Sequence, residues 1–389
     1  MKKADRLSIA PFALLLALAL AAAACAGRAD RGSRDTASPG PRLLGVFAAW
    51  ANTLPAIDGL AVGSLSALAY DGTSRRWVGA SDEIQQPRLV WFDLGLGPAI
   101  TVVPTATTRL TLGPGLPEDT LTALDMEGLA HFPDGSFAVS HEGHIDRTGT
   151  ARQPRVLRVN RDGVVTDVIR PRPAFSIDPA DRSRGVRHNL GFEGLTRTPA
   201  GRLVAGLEQP LAQDGPVSSR ERGGVVRLAE FVEAGGAWAP GREWAYALEP
   251  TPAVDGYTQT CTDGENGLSA LLALSETTFL AVERACLLGA PGATAYNPVR
   301  VFMVDVNGAD DVSGLPSLAG ASPALARKRL VQDLAAWRPL LPASLRTLTN
   351  FEGAALGPPG PRGERTVMLV SDDNFRPTQT TAFLWFTLP

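Results

Sequence analysis

Acidic side chains recur in this sequence at a fixed place in a repeated phrase. The phrase is a short apolar run, a turn, a second apolar run and an acid. It reads MEGLAHFPDGSFAVSHEG (126–143), FEGLTRTPAGRLVAGLEQ (192–209), ENGLSALLALSETTFLAVER (265–284) and FEGAALGPPGPRGERTVMLVSDDN (351–374). An earlier relative, SLSALAYDGTSRRWVGASDE (64–83), has serine where the others open on an acid. The opening acids are Glu127, Glu193, Glu265 and Glu352; the closing ones are Glu142, Glu208, Glu283, Asp372 and Asp373, with Asp82 and Glu83 in the early copy. If they converge, two unit charges about 4 Å apart repel by about 4 kcal/mol at an effective dielectric of about 20, so the group needs counter-charge. Arg187 and Arg284, beside the repeat ends, supply part of it, and a hard divalent cation supplies more. Oxygen ligands without cysteine favour calcium over zinc.

The elements that must bring these acids together follow from the runs themselves. Each is too short for a helix, and turns such as Pro133-Asp134-Gly135 and Pro199-Ala200-Gly201 join them as β-hairpins. An antiparallel hairpin places the start of its first strand and the end of its second at one end. Glu127 and Glu142 are 15 residues apart, as are Glu193 and Glu208, so the register is kept. Copies starting near residues 64, 126, 192, 265 and 351 leave room for two more strands each, for example PRVLRVNRDGVVTDVI (154–169). Repeated four-stranded units of this length close radially into a β-propeller, with equivalent hairpin ends at one rim of a central channel. The fold expected is therefore all-β. Five hairpins and the spare length between 284 and 351 give six blades, with five or seven as the alternatives. Gly194 lets neighbouring strands crowd the axis. The segment 322–348 reads either as an amphipathic helix or as an outer strand with a short helix after it. The terminal TAFLWFTLP is a strand that completes the first blade and closes the ring.

Composition agrees with a packed, turn-rich chain. Of 389 residues, 44% are hydrophobic and 20% charged, enough for a large core, and 40 glycines and 31 prolines are spread along the length. Residues 1–24 read as a secretory signal: Lys2, Lys3 and Arg6 precede an apolar run, Pro11–Ala24, too short to span a bilayer with its flanks. Three positive charges and one negative leave with it, so the formal charge moves from −3 to −5, which argues against nucleic acid. LALAAAACAG resembles a bacterial lipobox, with Ala22 in place of the favoured leucine. Cys25 is then the lipidated residue and residues 25–42 a flexible tether, ordinary cleavage at the alanine run being the alternative. Residues 43–389 form a single domain, a monomer exported to the cell envelope or beyond, touching membrane only through that lipid. Cys261 and Cys286 flank a hairpin and are expected to pair in an oxidising compartment.

Other chemistries have weaker support. His141 and His144 flank Glu142, and His188 precedes the Glu193 turn; HEGH lacks the HExxH spacing for a shared metal, and His141 is the histidine expected to act as acid or base. The sequence has no GxSxG elbow, P-loop or dinucleotide fingerprint.

The motifs LGFEGLTRTPAGRLVAGLEQPL, ENGLSALLALSETTFLAVER and NFEGAALGP with VMLVSDDNF resemble the phytase-like family named for esterase-like activity of phytase, over most of the chain from Leu65 onward. The resemblance implies an exported propeller in which repeated Glu and Asp residues act on phosphoesters. The DDPAIW-like signature of calcium-dependent propeller phytases is missing here, so phytate does not carry over as substrate. The implied activity is calcium-assisted hydrolysis of a small phosphoester. Glu193, Glu127 and His141 would be catalytic, and Arg284, Arg187 and His188 would bind the phosphate. The alternatives are a lactonase-like hydrolase of carboxylic esters and a non-catalytic, calcium-stabilised envelope propeller.

Overall fold

A computed structural model describes residues 40–389 except Asp263. The expected signal segment, Cys25 and residues 25–39 of the tether lie outside the described residues. Among the described residues no helix is long and apolar enough to cross a membrane. The helical segments are short 3-10 turns, the longest Leu334–Leu340.

The chain is a five-bladed β-propeller. From the axis outward, blade 1 is Leu65–Asp71, Arg76–Ser81, Arg88–Gly95 and Thr101–Arg109. Blade 2 is Met126–His131, Phe137–His141, Arg155–Val159 and Val164–Ile169, with the two-residue strand Thr111–Leu112 added in parallel at its edge. Blade 3 is Phe192–Arg197, Leu203–Leu207, Val225–Ala234 and Ala237–Ala247. Blade 4 is Gly267–Ala273, Thr278–Arg284, Val299–Asp305 and Arg327–Asp333. Blade 5 takes Asn350–Leu356, Thr366–Asp372 and Thr380–Thr387 from the end of the chain and Leu43–Trp50 from its beginning.

The second strand of each blade is buried throughout, apart from Arg76 and Thr278, because both faces are covered by neighbouring blades. Its residues accordingly run apolar without alternation, as in FAVSH and LVAGL. Apolar clusters fill the gaps between blades: Val78 and Leu89 meet Leu129 and Val139, and Leu280 and Val301 meet Leu369 and Leu384. The turns expected from sequence hold the hairpins. At Pro133-Asp134-Gly135, Gly135 has φ 83° and Asp134 Oδ1 accepts from Ser136 N at 2.9 Å.

Two expectations about ring closure change. The ring has five blades rather than six, because the length between 284 and 351 goes to outer strands and a strap. Val312 N donates to Glu243 O and Ala326 N to Ala245 O, so residues 306–326 run along the edge of blade 3. The C-terminal strand closes the ring as expected, but in the last blade rather than the first. It stays in blade 5, and the N-terminal strand pairs antiparallel with it, Val46 opposite Leu384 and Trp50 opposite Thr380. For 322–348 the second alternative holds: strand Arg327–Asp333, then the 3-10 turn, started by Asp333 Oδ1 accepting from Ala335 N.

One irregularity recurs in every innermost strand. Each carries a β-bulge at the same place, between Leu65 and Ala67, Met126 and Gly128, Phe192 and Gly194, Leu268 and Ala270, and Phe351 and Gly353. The extra residue, left without a cross-strand partner, is Ser66, Glu127, Glu193, Ser269 or Glu352. A bulge re-aims a side chain and tightens the twist. The next residue is Gly or Ala because neighbouring blades meet there. A Cβ on Gly194 would lie 2.6 Å from Leu271 N, and one on Gly353 2.9 Å from the Ala67 carbonyl carbon.

Candidate functional site: an acidic cup on the propeller axis

Counting outward from the bulges gives three rings of equivalent positions. The bulged residues are Ser66, Glu127, Glu193, Ser269 and Glu352. Two residues before each lie Ser64, Asp125, Gly191, Gly267 and Asn350. The residues that close the second strands are Asp82, Glu142, Glu208, Arg284 and Asp372. Eight carboxylates and one guanidinium therefore share the axis. Below them, Leu68, Leu129, Leu195, Leu271 and Ala354 leave only about 10 Å³ of space, so the channel is a cup with an apolar floor. Above them opens a cavity of about 1140 Å³, whose wall includes Asp82, Asp125, Glu127, Glu193, Glu208, Arg284, Glu352 and Asp372.

The charges are unequal, and all but Asp82 and Asp125, which are partly buried, are buried. Arg284 Nη2 lies 3.0 Å from Glu352 Oε1 and 3.5 Å from Glu208 Oε1. Asn350 Nδ2 donates to Glu352 Oε1 at 2.8 Å and to Asp372 Oδ2 at 3.3 Å. Burial, then the charge of Asp372, pushes Asp82 up to about 9. Burial, opposed by Arg284, pushes Glu352 up to about 8. Burial takes Asp125 and Asp372 to about 6. Glu127, Glu142 and Glu193 stand well above the carboxylate range, from burial first and then from Glu193, Asp125 and Glu208 respectively. Burial alone would lower Arg284, but Glu352, Glu208, Glu193 and Asp372 outweigh it and hold it above its ordinary value.

Two groups of carboxylates are close enough to share a cation. Ligand oxygens of Asp82, Asp125 and Glu127 lie within 4.8 Å of one another, and so do those of Glu142, Glu193 and Glu208. In the second group Glu142 Oε2 and Glu193 Oε2 are buried and without hydrogen-bond partners among the described residues. An orphaned buried carboxylate oxygen is costly unless a proton or cation meets it. The donors are all oxygen, so the residues present fit a hard divalent cation.

Several residues expected at the rim are elsewhere. Glu265 is half-buried and lies outside the cup, because the bulge of blade 4 falls four residues later than assumed, at Ser269. Glu283 is one position short of the closing ring, and a one-residue slip turns a strand side chain to the other face. It accepts from Tyr246 Oη at 2.6 Å, Asn266 Nδ2 at 2.6 Å and Lys328 Nζ at 2.7 Å, and binds blade 3 to blade 4. Asp373 holds blade 5 to blade 1, taking Ser64 N at 2.9 Å and the Thr381 hydroxyl. His141 is fully buried behind the wall with Nδ1 against the Asp125 backbone, and burial lowers its pKa well below the usual imidazole range, so it has no path to act in the cavity. Arg187 donates to Pro210 O and Gly215 O, and His188 Nδ1 accepts from Ile145 N; neither is in the cavity wall. Cys261 and Cys286 form a disulfide, and both line the mouth. Sequence reasoning missed Asp125 and Asn350, which face the closing acids across the hairpin end. The signal for Asp125 was its place directly before the MEGL motif.

An all-β propeller with a closed floor and a buried ring of carboxylates is the class that fold and site define. Within that class the chain belongs to the phytase-like family described as esterase-like activity of phytase, whose model matches residues 60–375. No curated protein matches it. Solved structures of similar shape include an exo-β-1,3-galactanase from Phanerochaete chrysosporium, at TM-score 0.42 and 9% identity over 87% of this chain; the match spans 64% of that galactanase. An endo-arabinase from Bacteroides thetaiotaomicron aligns at TM-score 0.40 and 8% identity, over 88% of this chain and 97% of its own. The catalytic domain of an α-L-arabinofuranosidase from Coprinopsis cinerea aligns at 0.40 and 9%, over 89% and 97%.

Proposed function

We propose that the cup is the centre of a calcium-dependent phosphoester hydrolase. The observation that carries this reading is the imbalance, among the described residues, of eight axial carboxylates, six of them buried, against the axial guanidinium of Arg284, with two carboxylate oxygens left unpaired. Glu142, Glu193 and Glu208 would hold a cation, and Asp82, Asp125 and Glu127 form a second candidate set. Such a cation supplies Lewis acidity toward a phosphoryl oxygen and lowers the pKa of water.

The chain's own residues do the rest. Arg284, fixed by Glu352 and Glu208, keeps a guanidinium in the wall where an anionic phosphoryl group needs one. Glu127, whose pKa burial and the neighbouring Glu193 raise, would give a proton to a leaving oxygen where it is not itself a cation ligand. The apolar floor closes the channel below the reacting groups and keeps bulk water out from that side. The disulfide at the mouth supports a location outside the reducing cytoplasm, in keeping with the signal and lipid anchor expected from residues 1–25.

The test is turnover of phenyl phosphate, bis-p-nitrophenyl phosphate and a simple lactone by the purified protein, in calcium and in EDTA. Phosphoester turnover that EDTA abolishes and calcium restores is expected. Turnover of the lactone alone transfers the reading to carboxylic esters. No turnover of any substrate, with a calcium-dependent rise in melting temperature, makes the cup a structural ion site.

A further inference from the structure

The cavity is far larger than a phosphoryl group, so it has room above the acids for an organic group carried on a phosphate. Its lip carries one side chain that the fold does not use. Of the chain's seven tryptophans, Trp77 and Trp244 are buried in the core, Trp91 packs on Phe137, Trp238 on Phe132 and Trp337 on Phe386, and Trp385 is buried against blade 1. Trp50 alone is 50% exposed; among the described residues it has no aromatic partner and joins no apolar cluster, and it lines the cavity. Leu288, 38% exposed, is a second apolar side chain on the same wall.

The backbone beneath Trp50 is nevertheless fixed. It ends the closing strand opposite Thr380, Ala51 N donates to Gln379 O at 3.0 Å, and the Thr53 hydroxyl donates to Trp50 O at 2.6 Å. Asn52, at φ 62°, sends Nδ2 to Phe375 O at 3.0 Å. An indole on a pinned backbone, left open at the mouth of a polar chamber, is a platform already in place for a flat apolar face. Exposed Arg376, in the same cavity wall, adds a positive charge for an anionic ligand.

Resting on the phosphoester reading, we propose that Trp50 is the specificity-determining residue of the upper chamber, stacking on the ring of a substrate that is a ring-bearing phosphoester rather than a small linear one. Aryl and sugar rings share the required apolar face.

The test compares phenyl phosphate, glucose 1-phosphate and ringless glycerol 1-phosphate on the native protein, Trp50→Ala and Trp50→Phe. The ratio of kcat/KM for phenyl phosphate over glycerol 1-phosphate should fall about fivefold in Trp50→Ala through KM, and Trp50→Phe should restore most of it. A matching fall for glucose 1-phosphate extends the platform to sugar rings; a fall for phenyl phosphate alone confines it to aryl groups. A ratio unchanged in Trp50→Ala overturns the proposal and leaves the hydrolase reading standing. Binding without turnover separates the two further. Phenyl phosphate should shift tryptophan emission to the blue in the native protein and not in Trp50→Phe. If nothing is hydrolysed but that difference holds, the hydrolase reading falls and the platform stands. An equal shift in both proteins overturns the platform.

Discussion

The axial cup and the outer part of blade 3 both bury charge, and they balance it in opposite ways. In blade 3, Arg227 is 1% exposed and meets Asp214 at 2.7 and 2.9 Å, Glu243 at 2.9 Å, and the carbonyls of Val312 and Leu315. Asp214 Oδ1 also takes Leu318 N, and Arg172 reaches Glu243 from outside. That cluster is closed: donors meet acceptors, and the strap along the blade edge is what they hold. In the axial rings of the cup one arginine faces eight acids among the described residues, and two carboxylate oxygens have no partner there. Burial of charge with unequal pairing is what distinguishes the cup from a cluster that only holds the fold.

The contrast gives its largest effects when one charge is removed from each region. Glu193→Gln should cut turnover by about two to three orders of magnitude, as loss of a preorganised electrostatic contact does. The metal-free protein should melt no lower than the native one, because a strained buried carboxylate has been relieved. Arg227→Ala should do the reverse. Asp214 left without its cation, and Glu243 with Arg172 alone, cost about 3–5 kcal/mol of stability, read by chemical denaturation, with turnover per folded molecule retained. If Glu193→Gln unfolds the protein while Arg227→Ala only slows it, the assignment of the two regions is inverted.

Smaller effects follow from what the cup lacks. Calcium at about a hundred times its Kd should stabilise the native protein by about 2.7 kcal/mol, and Glu142→Gln should remove most of that gain. In EDTA the pH dependence has a definite sign. Asp125 and Asp372 titrate near 6 in the fold, Glu352 near 8 and Asp82 near 9, all above unfolded values near 4. Between those limits the folded state holds more protons than the unfolded one, so stability falls as pH rises from about 4 to 9. A melting temperature measured in EDTA should be higher at pH 5 than at pH 8, and calcium should narrow the gap. A rise with pH in EDTA would falsify the picture of an unneutralised cup.

Much of this was legible in the sequence, and the failures have one cause. Hairpins, propeller, disulfide and the axial places of Glu127, Glu142, Glu193, Glu208, Glu352 and Asp372 follow from turn chemistry and strand period. The sixth blade comes from counting length, and the length between 284 and 351 instead supplies the two outer strands of blade 4 and, between them, a strap with its own apolar contacts at Val312 and Leu318. Blade 4 was misaligned because Glu265-Asn266-Gly267 imitates the Glu-Gly of the other copies. A better guide was LSAL, which occurs identically at Leu65–Leu68 and Leu268–Leu271 and places serine at both bulges. His141 failed because its neighbour Glu142 faces the axis, and strand alternation then sends the imidazole the other way.

The smallest predicted effect is the sharpest check on that register. Under the sequence alignment, Glu265 and Glu283 stand where Glu193 and Glu208 do, and neutralising either should weaken calcium uptake. In the structure, Glu283 is an acceptor for Tyr246, Asn266 and Lys328 between two blades, so Glu283→Gln should cost about 1–3 kcal/mol of stability and leave the calcium-induced shift in melting temperature intact. Glu265, half-buried and away from the wall, should tolerate Gln within about 0.5 kcal/mol with no change in calcium response or turnover. The position equivalent to a closing acid in blade 4 is Arg284, and only there should a substitution reach the cup. Arg284→Gln leaves Glu208 and Glu352 without their cation, so the metal-free protein should become less stable at pH 8 than at pH 5 by more than the native protein does. If Glu265→Gln or Glu283→Gln altered the calcium shift and Arg284→Gln did not, blade 4 would have to be read one residue out of register, and the single guanidinium would no longer belong to the ring.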